Sequence, residues 1–430
     1  MTGSHYDALV VGSGPAGSIA ALVAARGGAR VALVDKAHFP RDKACGDLVG
    51  PRGVQTLADL GIDIEGPRVG DMDVVGPTGR RVLLRASAGL TYPGHAVVVR
   101  RRRLDATLQQ LAIEAGAEPF PGRAATASYT DSGQLNGFEL ETDQGKGGRL
   151  TADVVIGADG ALSRVAAAAG LVDETQVLWA FAVRAYMDDA PTLPRIHFWE
   201  PERRSGYPGY GWVFPGEAGD ANVGLGLGSR GDRRVGTRAA KDLGGFLASA
   251  GLDPLMAGRT LGGWIKMGMV GTRPAQGRTL LVGDAAGLVN PLQGEGIAQA
   301  LASGRAAAEA VLAAGAAGAA GLYRADIARR YAPFAATTAP VTGWMVTHPR
   351  AVARLSRALT APGVGRLVAG GWAVYWNDLL DGARPGGPQR VARLADLAGR
   401  ALTSRSAERR SVWAGVDVPG RRPTSGTASR

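Results

Sequence analysis

Two glycine-rich segments, beginning at Val10 and Leu280, contain the residues best suited to bind a phosphorylated cofactor. In the first, Gly12, Gly14 and Gly17 fit G-x-G-x-x-G between an apolar run and a helical pattern. Gly12 would permit a tight turn, Gly14 would let the backbone approach a pyrophosphate, and Gly17 would let helix and strand pack closely. Asp35 follows a second apolar run, where its carboxylate could accept hydrogen bonds from a ribose diol. This order of features predicts a dinucleotide site.

The second segment combines a carboxylate with the start of a helix. The apolar run 279–282 leads into Gly283 and Asp284. Before the next Ala-rich helix come Pro291, Gly294, Glu295 and Gly296. A carboxylate at a strand end could hold polyol hydroxyls while helix amides face a carbonyl-rich ring, which suits the flavin half of FAD. Taken alone, Asp284 could equally cap a helix.

Four further motifs lie between these segments. They are FPRDKACGD with Arg41, Lys43, Cys45 and Gly46; Arg101, Leu104 and Asp105 in R-x-x-L-D; GADGALS with Asp159; and YGWVFP with Tyr210, Trp212, Phe214 and Pro215. With the glycine segments they cover about the first 310 residues, and in this order they resemble the geranylgeranyl reductase family of FAD-dependent oxidoreductases, relatives of the flavin aromatic hydroxylases. The resemblance implies that Arg41, Cys45, Gly46, Arg101 and Asp159 contribute to the FAD site.

The resemblance also implies a reaction, in which reduced FAD saturates a carbon–carbon double bond of a polyprenyl chain such as a geranylgeranyl group or a menaquinone side chain. The Gly294-Glu295-Gly296 sequence is similar to the reductases, whereas aromatic hydroxylases typically have G-Q-G-x-N. The lysine that often follows F-P in the reductases is Gly216 here, which leaves the substrate open. The alternative is an FAD-dependent monooxygenase that hydroxylates or epoxidises an apolar natural product. A third hypothesis is that the chain binds flavin without catalysing a reaction and docks to a membrane or a partner through its basic tail.

Cys45 is the only cysteine, so the chain has no internal disulfide and no Cys-based zinc site, and we predict no metal. Its thiol, with an ordinary pKa of about 8.5, could donate a proton beside the flavin or serve as a small apolar spacer. His95 and His197 are weaker acid–base candidates. Only one full dinucleotide fingerprint is present, and we assign it to FAD. The external electron donor is therefore either NAD(P)H bound transiently or another reductant.

The aromatic residues indicate where a substrate could lie. All eight tryptophans follow residue 178. The patterns predict strands at 177–187, 196–199, 211–214 and 222–227, and a helix at 238–250. Because side chains alternate along a strand, Tyr210, Trp212 and Phe214 share one face, which we predict to be the wall of an apolar substrate cavity.

These elements predict an α/β fold with a Rossmann-like FAD-binding domain of the glutathione-reductase and aromatic-hydroxylase type. The predicted parts are an FAD-binding domain from 1–70, 95–175 and 272–315; an α+β substrate domain with an antiparallel sheet from 71–94 and 176–271; a helical C-terminal region from 316–403; and a disordered basic tail from 404–430.

The net charge of +11 is concentrated near the C-terminus, since residues 331–430 contain 14 Lys and Arg against 5 Asp and Glu. The arginines are dispersed and no nucleic-acid module is recognised, so we predict no nucleic-acid partner. Two explanations stay open: a solvated helical face, or contact with an anionic membrane near Trp372, Tyr375 and Trp376. The stretch 306–322 is too rich in Ala and Gly to predict a membrane span. We therefore expect a cytoplasmic protein, with membrane association possible.

Overall fold

The computed structural model describes residues 4–188, 191–198, 209–231 and 234–405. In these residues the strands are β1 (Ser4–Val11), β2 (Val31–Asp35), β3 (Leu48–Val49), β4 (Arg68–Val69), β5 (Met72–Val75), β6 (Arg81–Leu84), β7 (Ala96–Val98), β8 (Glu118–Pro121), β9 (Arg123–Tyr129), β10 (Leu135–Thr142), β11 (Gly145–Gly157), β12 (Leu178–Met187), β13 (Arg195–His197), β14 (Gly209–Pro215), β15 (Ala221–Ser229), β16 (Leu261–Met267), β17 (Ala275–Gln276) and β18 (Thr279–Leu281). The helices are α1 (Pro15–Arg26), α2 (Pro51–Asp59), α3 (Arg101–Glu114), α4 (Arg164–Ala168), α5 (Val235–Ser249), α6 (Ile297–Arg330), α7 (Ala332–Thr347), α8 (Pro349–Leu359), α9 (Val364–Trp376) and α10 (Gly387–Thr403), with short 3₁₀ helices at Pro254–Met256 and Gly283–Ala286.

The first sheet has the order β17-β18-β11-β1-β2-β8. Its strands from β18 to β8 are parallel, and β9 and β10 extend it as antiparallel strands beside β11. The central strands are continuous apolar runs because both faces are covered, with α1 packed against α3 and α6. Parallel strands end at the same edge, so this sheet brings the first glycine turn, Asp35, the GADG turn and the Gly283 turn together.

The second sheet has the order β16-β12-β15-β14-β13-β5-β6. All its pairs are antiparallel except β13 and β5, which run parallel. Helix α5 packs against β12 and β15 and buries Phe246 in the core of this unit. The predicted strands are present, with small changes at their ends: β13 ends at His197, and Trp199 lies outside the described residues. The two sheets and the helical region confirm the predicted fold class, while the domain boundaries stay a proposal.

The helical C-terminal region begins within α6, which bends at Gly315, where the backbone leaves helical geometry (φ 54°, ψ −164°). By length and composition α6 could cross a membrane, but 44% of its apolar window is buried, and it packs against α1 and α2. Helix α9 packs against α10 and β6, so this region is built onto the second sheet. Most of the tail predicted to be disordered, residues 406–430, lies outside the described residues.

Candidate active site

A cavity of about 390 Å³ lies between the Cys45 loop, the second sheet, the second glycine segment and the C-terminal helices. Its volume is within the range of about 300–1,000 Å³ that is usual for small-molecule sites. Among the predicted site residues, the lining contains Cys45, Gly46, Arg101, Tyr210, Trp212, Phe214, Asp284, Pro291, Gly294, Glu295 and Gly296. The fold therefore brings four separate motifs into one enclosure.

The first glycine turn has the geometry of a phosphate cradle. Gly12 has a φ of 105°, and a Cβ on Gly17 would lie 1.7 Å from the Gly12 carbonyl oxygen. A Cβ on Gly14, in contrast, would meet only Arg41 Nη2, at 3.7 Å. Ser13 Oγ is buried and has no hydrogen-bond partner among the described residues. An open position over Gly14, an adjacent guanidinium and an unpartnered hydroxyl fit the pyrophosphate of FAD.

Asp35 and Asp159 lie at the same edge of the first sheet but outside the cavity lining. Asp35 accepts hydrogen bonds from the amides of Ser13 (2.6 Å) and Ala37 (2.8 Å), so it braces the glycine turn. Asp159 accepts hydrogen bonds from Ser163 Oγ (2.5 Å) and from two amides at the start of α4. These contacts give Asp159 a helix-capping role without a cofactor. Its predicted FAD contact, like that of Asp35, stays a prediction.

Asp284 and Glu295 have different local roles in the second segment. Asp284 Oδ2 lies 3.8 Å from Lys43 Nζ, which links this segment to the motif that contains Cys45. Glu295 Oε1 accepts the Ala298 amide at 2.8 Å and therefore caps the start of α6. Burial raises the pKa of Glu295. The helix-capping carboxylate considered for Asp284 thus belongs to Glu295, and Asp284 lies on the cavity wall.

Arg41 and Arg101 share one buried acid. Arg101 forms two hydrogen bonds to Asp105, of 2.7 and 2.8 Å, and Arg41 Nη1 lies 2.9 Å from Asp105 Oδ2. Because Asp105 is fully buried, it fixes both guanidinium groups in place. Arg41 then faces the Gly14 turn, while Arg101 lines the cavity beside Cys45.

Cys45 lies in the loop between β2 and β3, where it is half-buried and lines the cavity. The Asp47 amide is 3.4 Å from its Sγ atom. Burial raises the pKa of the Cys45 thiol, and the nearby Arg101 guanidinium partly opposes that shift. The thiol is therefore neutral at physiological pH, and its role as a proton donor stays a prediction.

Asp47 is a site residue that the sequence analysis missed. It is 1% exposed and has a φ of 59°. Its carboxylate accepts hydrogen bonds from Tyr186 Oη (2.5 Å), Asn222 Nδ2 (2.9 Å) and the Arg101 amide (3.2 Å). Burial raises the pKa of Asp47, whereas these hydrogen bonds lower it. The only sequence signal was its place directly after Cys45 and Gly46, since its partners lie far along the chain.

Asn222 connects this network to the aromatic wall. Its amide nitrogen also donates to the Cys45 carbonyl at 2.8 Å, and its Oδ1 accepts from Trp212 Nε1 at 2.9 Å. One amide side chain thus fixes both the backbone of Cys45 and the ring of Trp212.

The aromatic wall follows β14 as the period of two predicted. Trp212 lies 6.4 Å from both Tyr210 and Phe214, measured between ring centroids, and all three line the cavity. A Cβ on Gly46 would lie 3.0 Å from the Phe214 ring, so glycine allows the Cys45 loop to touch this wall. Tyr210 Oη donates to the Gln293 carbonyl. Pro215 ends β14 and is not a lining residue.

Another part of the cavity wall comes from the C-terminal helices, which the sequence analysis did not assign to the site. Met345 and Val346 of α7 and Val352, Leu355 and Leu359 of α8 line the cavity. The second segment is fixed to α7 and α9, because Thr342 Oγ1 of α7 donates to the Pro291 carbonyl (2.9 Å) and Asn290 Nδ2 donates to the Trp376 carbonyl of α9 (3.1 Å).

Trp372, Tyr375 and Trp376, which we considered for membrane contact, are half-buried and contact other parts of the protein. Trp372 stacks on Phe198 at 5.7 Å, Tyr375 contacts Phe334 at 5.7 Å, and Trp376 lines the cavity. These rings therefore make contacts inside the protein, and membrane contact near them stays a prediction.

Three further titratable side chains are those of Lys266 and of the two histidine candidates. Lys266 is 1% exposed, and burial lowers its pKa to about 8 against the opposing effect of Asp159 and Asp284. His95 lines the cavity. His197 packs against Phe246 instead, on the side of α5, and is not a lining residue. No cluster of three or more His, Cys, Asp or Glu able to hold a metal is found in the described part of the chain.

Comparisons with known proteins identify the family of the chain. A family model described as an FAD binding domain matches residues 5–338. A menaquinone reductase of Mycobacterium tuberculosis is 33% identical over 327 residues, which cover 70% of this chain and 76% of the relative. Digeranylgeranylglycerophospholipid reductase 1 of Methanopyrus kandleri is 36% identical over 315 residues, which cover 71% and 80%.

Solved structures show the same fold. A geranylgeranyl bacteriochlorophyll reductase-like protein from Thermoplasma acidophilum superposes with a TM-score of 0.70 at 22% identity, covering 96% of this chain and 98% of that one. The flavin-dependent halogenase CmlS gives 0.62 at 19% identity, covering 93% and 78%. At these identities the likeness concerns the fold alone. The matched family model and the relatives above 30% identity establish that the chain belongs to the geranylgeranyl reductase family of FAD-dependent oxidoreductases.

Proposed function

We propose that this enzyme reduces a carbon–carbon double bond in a polyprenyl chain, such as a geranylgeranyl group or the side chain of a menaquinone. The observation that carries the proposal is the cavity, which is lined by aromatic side chains of β14, by aliphatic side chains of α7 and α8, and by Cys45. An isoprenoid is a flexible apolar chain with repeated double bonds, and such walls suit it. The names of the relatives support the same substrate class.

FAD, when bound in its reduced form, supplies a hydride. The residues that would hold it are the Gly12–Gly17 turn with Arg41 at the phosphate end, and Asp284 with the segment from Gly294 to Gly296 at the other end. Tyr210, Trp212 and Phe214 keep the substrate chain extended and exclude water from the reacting carbons.

Saturation of a double bond also requires a proton, and we propose the Cys45 thiol as its donor. The thiol is neutral at physiological pH, because burial raises its pKa, and it lines the cavity. Arg101 next to it would stabilise the thiolate that remains after the transfer. We propose that the external reductant is NAD(P)H or another donor. It would act at the same cavity, because the only dinucleotide motif recognised in the sequence is assigned to FAD.

An anaerobic assay tests the proposal. The purified FAD-loaded protein is reduced with dithionite and incubated with geranylgeranyl and menaquinone substrates, and the products are analysed by mass spectrometry. We expect a gain of two hydrogen atoms for at least one substrate class, with reoxidation of the flavin absorbance. No reduction of either class would refute the proposed reaction.

The monooxygenase alternative gives a different isotope result. In air with labelled dioxygen, a hydroxylase or epoxidase would place label in the product, whereas a reductase would not. Label in the product would replace the present proposal with the monooxygenase.

A further inference from the structure

The mouth of the cavity can be located from the residues that both line it and are exposed. In the described residues these are Gly70, Arg85, Ala86, Ser87 and Leu355. The first four lie together, since a Cβ on Gly70 would be 3.6 Å from Ala86, and Leu355 is on α8. The cavity therefore opens between the segment after β6 and helix α8.

Helix α8 is strongly two-sided at this mouth. Val352, Leu355 and Leu359 follow a spacing of three and four residues and form its cavity face. Arg350, Arg354 and Arg357 follow the same spacing on the other face and are exposed. The apolar face of α8, which lines the cavity, and its basic face, which is exposed to solvent, are therefore only one helix diameter apart.

Two large apolar side chains are exposed beside these arginines. Leu355 and Trp344 are each 46% exposed. Trp344, near the end of α7, stacks on His348 at 5.0 Å, directly before α8 begins, while the next residues, Met345 and Val346, line the cavity. Tryptophan is a side chain that prefers the boundary between lipid and water. We call Trp344, Arg350, Arg354 and Leu355 the α7–α8 rim.

The stretch of chain that contains the rim has positively charged side chains and no negatively charged ones. Between Tyr331 and Asn377 the sequence has four arginines and no Asp or Glu. Arg85 adds a further positive charge on the opposite side of the mouth, where it is exposed. A basic surface with exposed Trp and Leu is complementary to anionic lipid headgroups over a hydrocarbon layer.

We propose that the α7–α8 rim docks on the surface of an anionic lipid bilayer and presents the cavity mouth to it, so that an isoprenoid chain enters from the membrane. The proposal rests on the proposed function for its substrate class, and it adds the surface and the partner. It also places the contact on α7 and α8 rather than on the packed aromatic residues of α9.

Vesicle binding by the full-length, FAD-loaded protein tests the docking surface. We expect co-sedimentation with vesicles of phosphatidylglycerol and phosphatidylcholine, little with phosphatidylcholine alone, and a decrease as salt is raised. Since each basic residue near such a surface contributes about fivefold to partitioning, Arg350→Glu with Arg354→Glu should weaken binding at least about twentyfold. The matched control is Lys146→Glu with Arg149→Glu, two exposed residues on β11 away from the mouth, which should bind like the wild type.

A second measurement localises the contact. Brominated phosphatidylcholine in the anionic vesicles should quench part of the tryptophan emission, and that part should be missing in Trp344→Phe. Equal binding of wild type and the Arg350/Arg354 variant, equal binding to both vesicle types, or quenching that persists in Trp344→Phe would each overturn the proposal.

Turnover of a short detergent-soluble isoprenoid separates this proposal from the reaction. The Arg350/Arg354 variant should keep that turnover and its FAD content while it loses vesicle binding. Rim-dependent vesicle binding without any double-bond reduction would instead refute the proposed reaction and leave the docking surface standing.

Discussion

Cys45 lines the cavity, and we propose its neutral thiol as the proton donor of the reaction. Burial raises its pKa and Arg101 limits the increase, so the neutral form predominates at physiological pH and is lost only under alkaline conditions. A donor must hold its proton, and the rate should therefore be flat through neutral pH and fall as pH rises through the raised pKa. A rate that rises with pH would instead mean that the thiolate is the active form of Cys45.

The first prediction concerns Cys45→Ala. We expect single-turnover reoxidation of the reduced flavin by substrate to slow by about 10²–10⁴-fold, the usual contribution of general acid catalysis. The alkaline fall in rate should disappear, and FAD content should stay unchanged. These quantities are measured by anaerobic stopped-flow absorbance across pH. A variant with the wild-type rate and pH profile would show that Cys45 serves only as a spacer.

Asn222 does not face the proposed substrate, but it holds other residues of the site in position. Its side chain holds the Trp212 ring, the Cys45 carbonyl and Asp47 at once, all within 2.9 Å. Since a buried polar group that loses its partner costs about 1–3 kcal/mol, Asn222→Ala should lower the free energy of unfolding by that amount. It should also raise KM for the isoprenoid more than it lowers kcat, because Trp212 loses its orientation.

Urea unfolding and steady-state kinetics measure these two effects. Asn136→Ala on β10, far from the cavity, is the matched control, and its KM should equal that of the wild type. An Asn222→Ala enzyme that is less stable but has an unchanged KM would mean that Asn222 supports the fold only.

The element proposed to hold the cofactor phosphates is the turn between β1 and α1, and its glycines differ in what they contact. Gly17 is required by the fold, since any Cβ would overlap the Gly12 carbonyl. Gly14 is not required by the fold, because it has extended backbone (φ −71°, ψ −177°) and a Cβ there would meet only Arg41 Nη2, at 3.7 Å. The same substitution should therefore have different effects at the two positions.

We expect Gly14→Ala to leave the thermal stability of the FAD-free protein unchanged and to weaken FAD binding at least tenfold, or about 1.4 kcal/mol, because the methyl group occupies the phosphate approach. Gly17→Ala should destabilise the FAD-free protein itself. Calorimetric titration with FAD and thermal melts followed by circular dichroism measure both. Unchanged FAD affinity in Gly14→Ala would contradict the assignment of this turn to the pyrophosphate.

At the scale of the whole molecule, a contact could be predicted from the sequence only where the contacting residues are close together in the chain. The glycine turn and the alternation of Tyr210, Trp212 and Phe214 are local patterns, so the turn after β1 and the shared face of β14 could be predicted, while the binding roles of both stay predictions. Asp47 depends on Tyr186 and Asn222, which are 139 and 175 residues away, so no local pattern could indicate its role. The two-sided pattern of α8 could not show that its apolar face meets a cavity.

These long-range contacts also join the two sheets through the Cys45 loop. Gly46 touches Phe214 of the second sheet, and Asp47 binds Tyr186 and Asn222 of that sheet together with the Arg101 amide at the start of α3. The residues proposed to bind FAD lie in the first sheet, in this loop and in the second segment. Loss of any one of these parts should therefore release the cofactor, so FAD and the whole fold should unfold together.

We therefore expect excess FAD to stabilise the entire protein in one step. At a free FAD concentration of 100 Kd the gain should be about 2.7 kcal/mol, seen as a single thermal transition that moves to higher temperature. Differential scanning calorimetry of the FAD-free and FAD-loaded chain measures it, and Gly14→Ala should show a smaller shift at the same FAD concentration. Two transitions, of which only one responds to FAD, would mean that the second sheet unfolds independently and that the contacts of Asp47 and Gly46 do not couple it to the cofactor site.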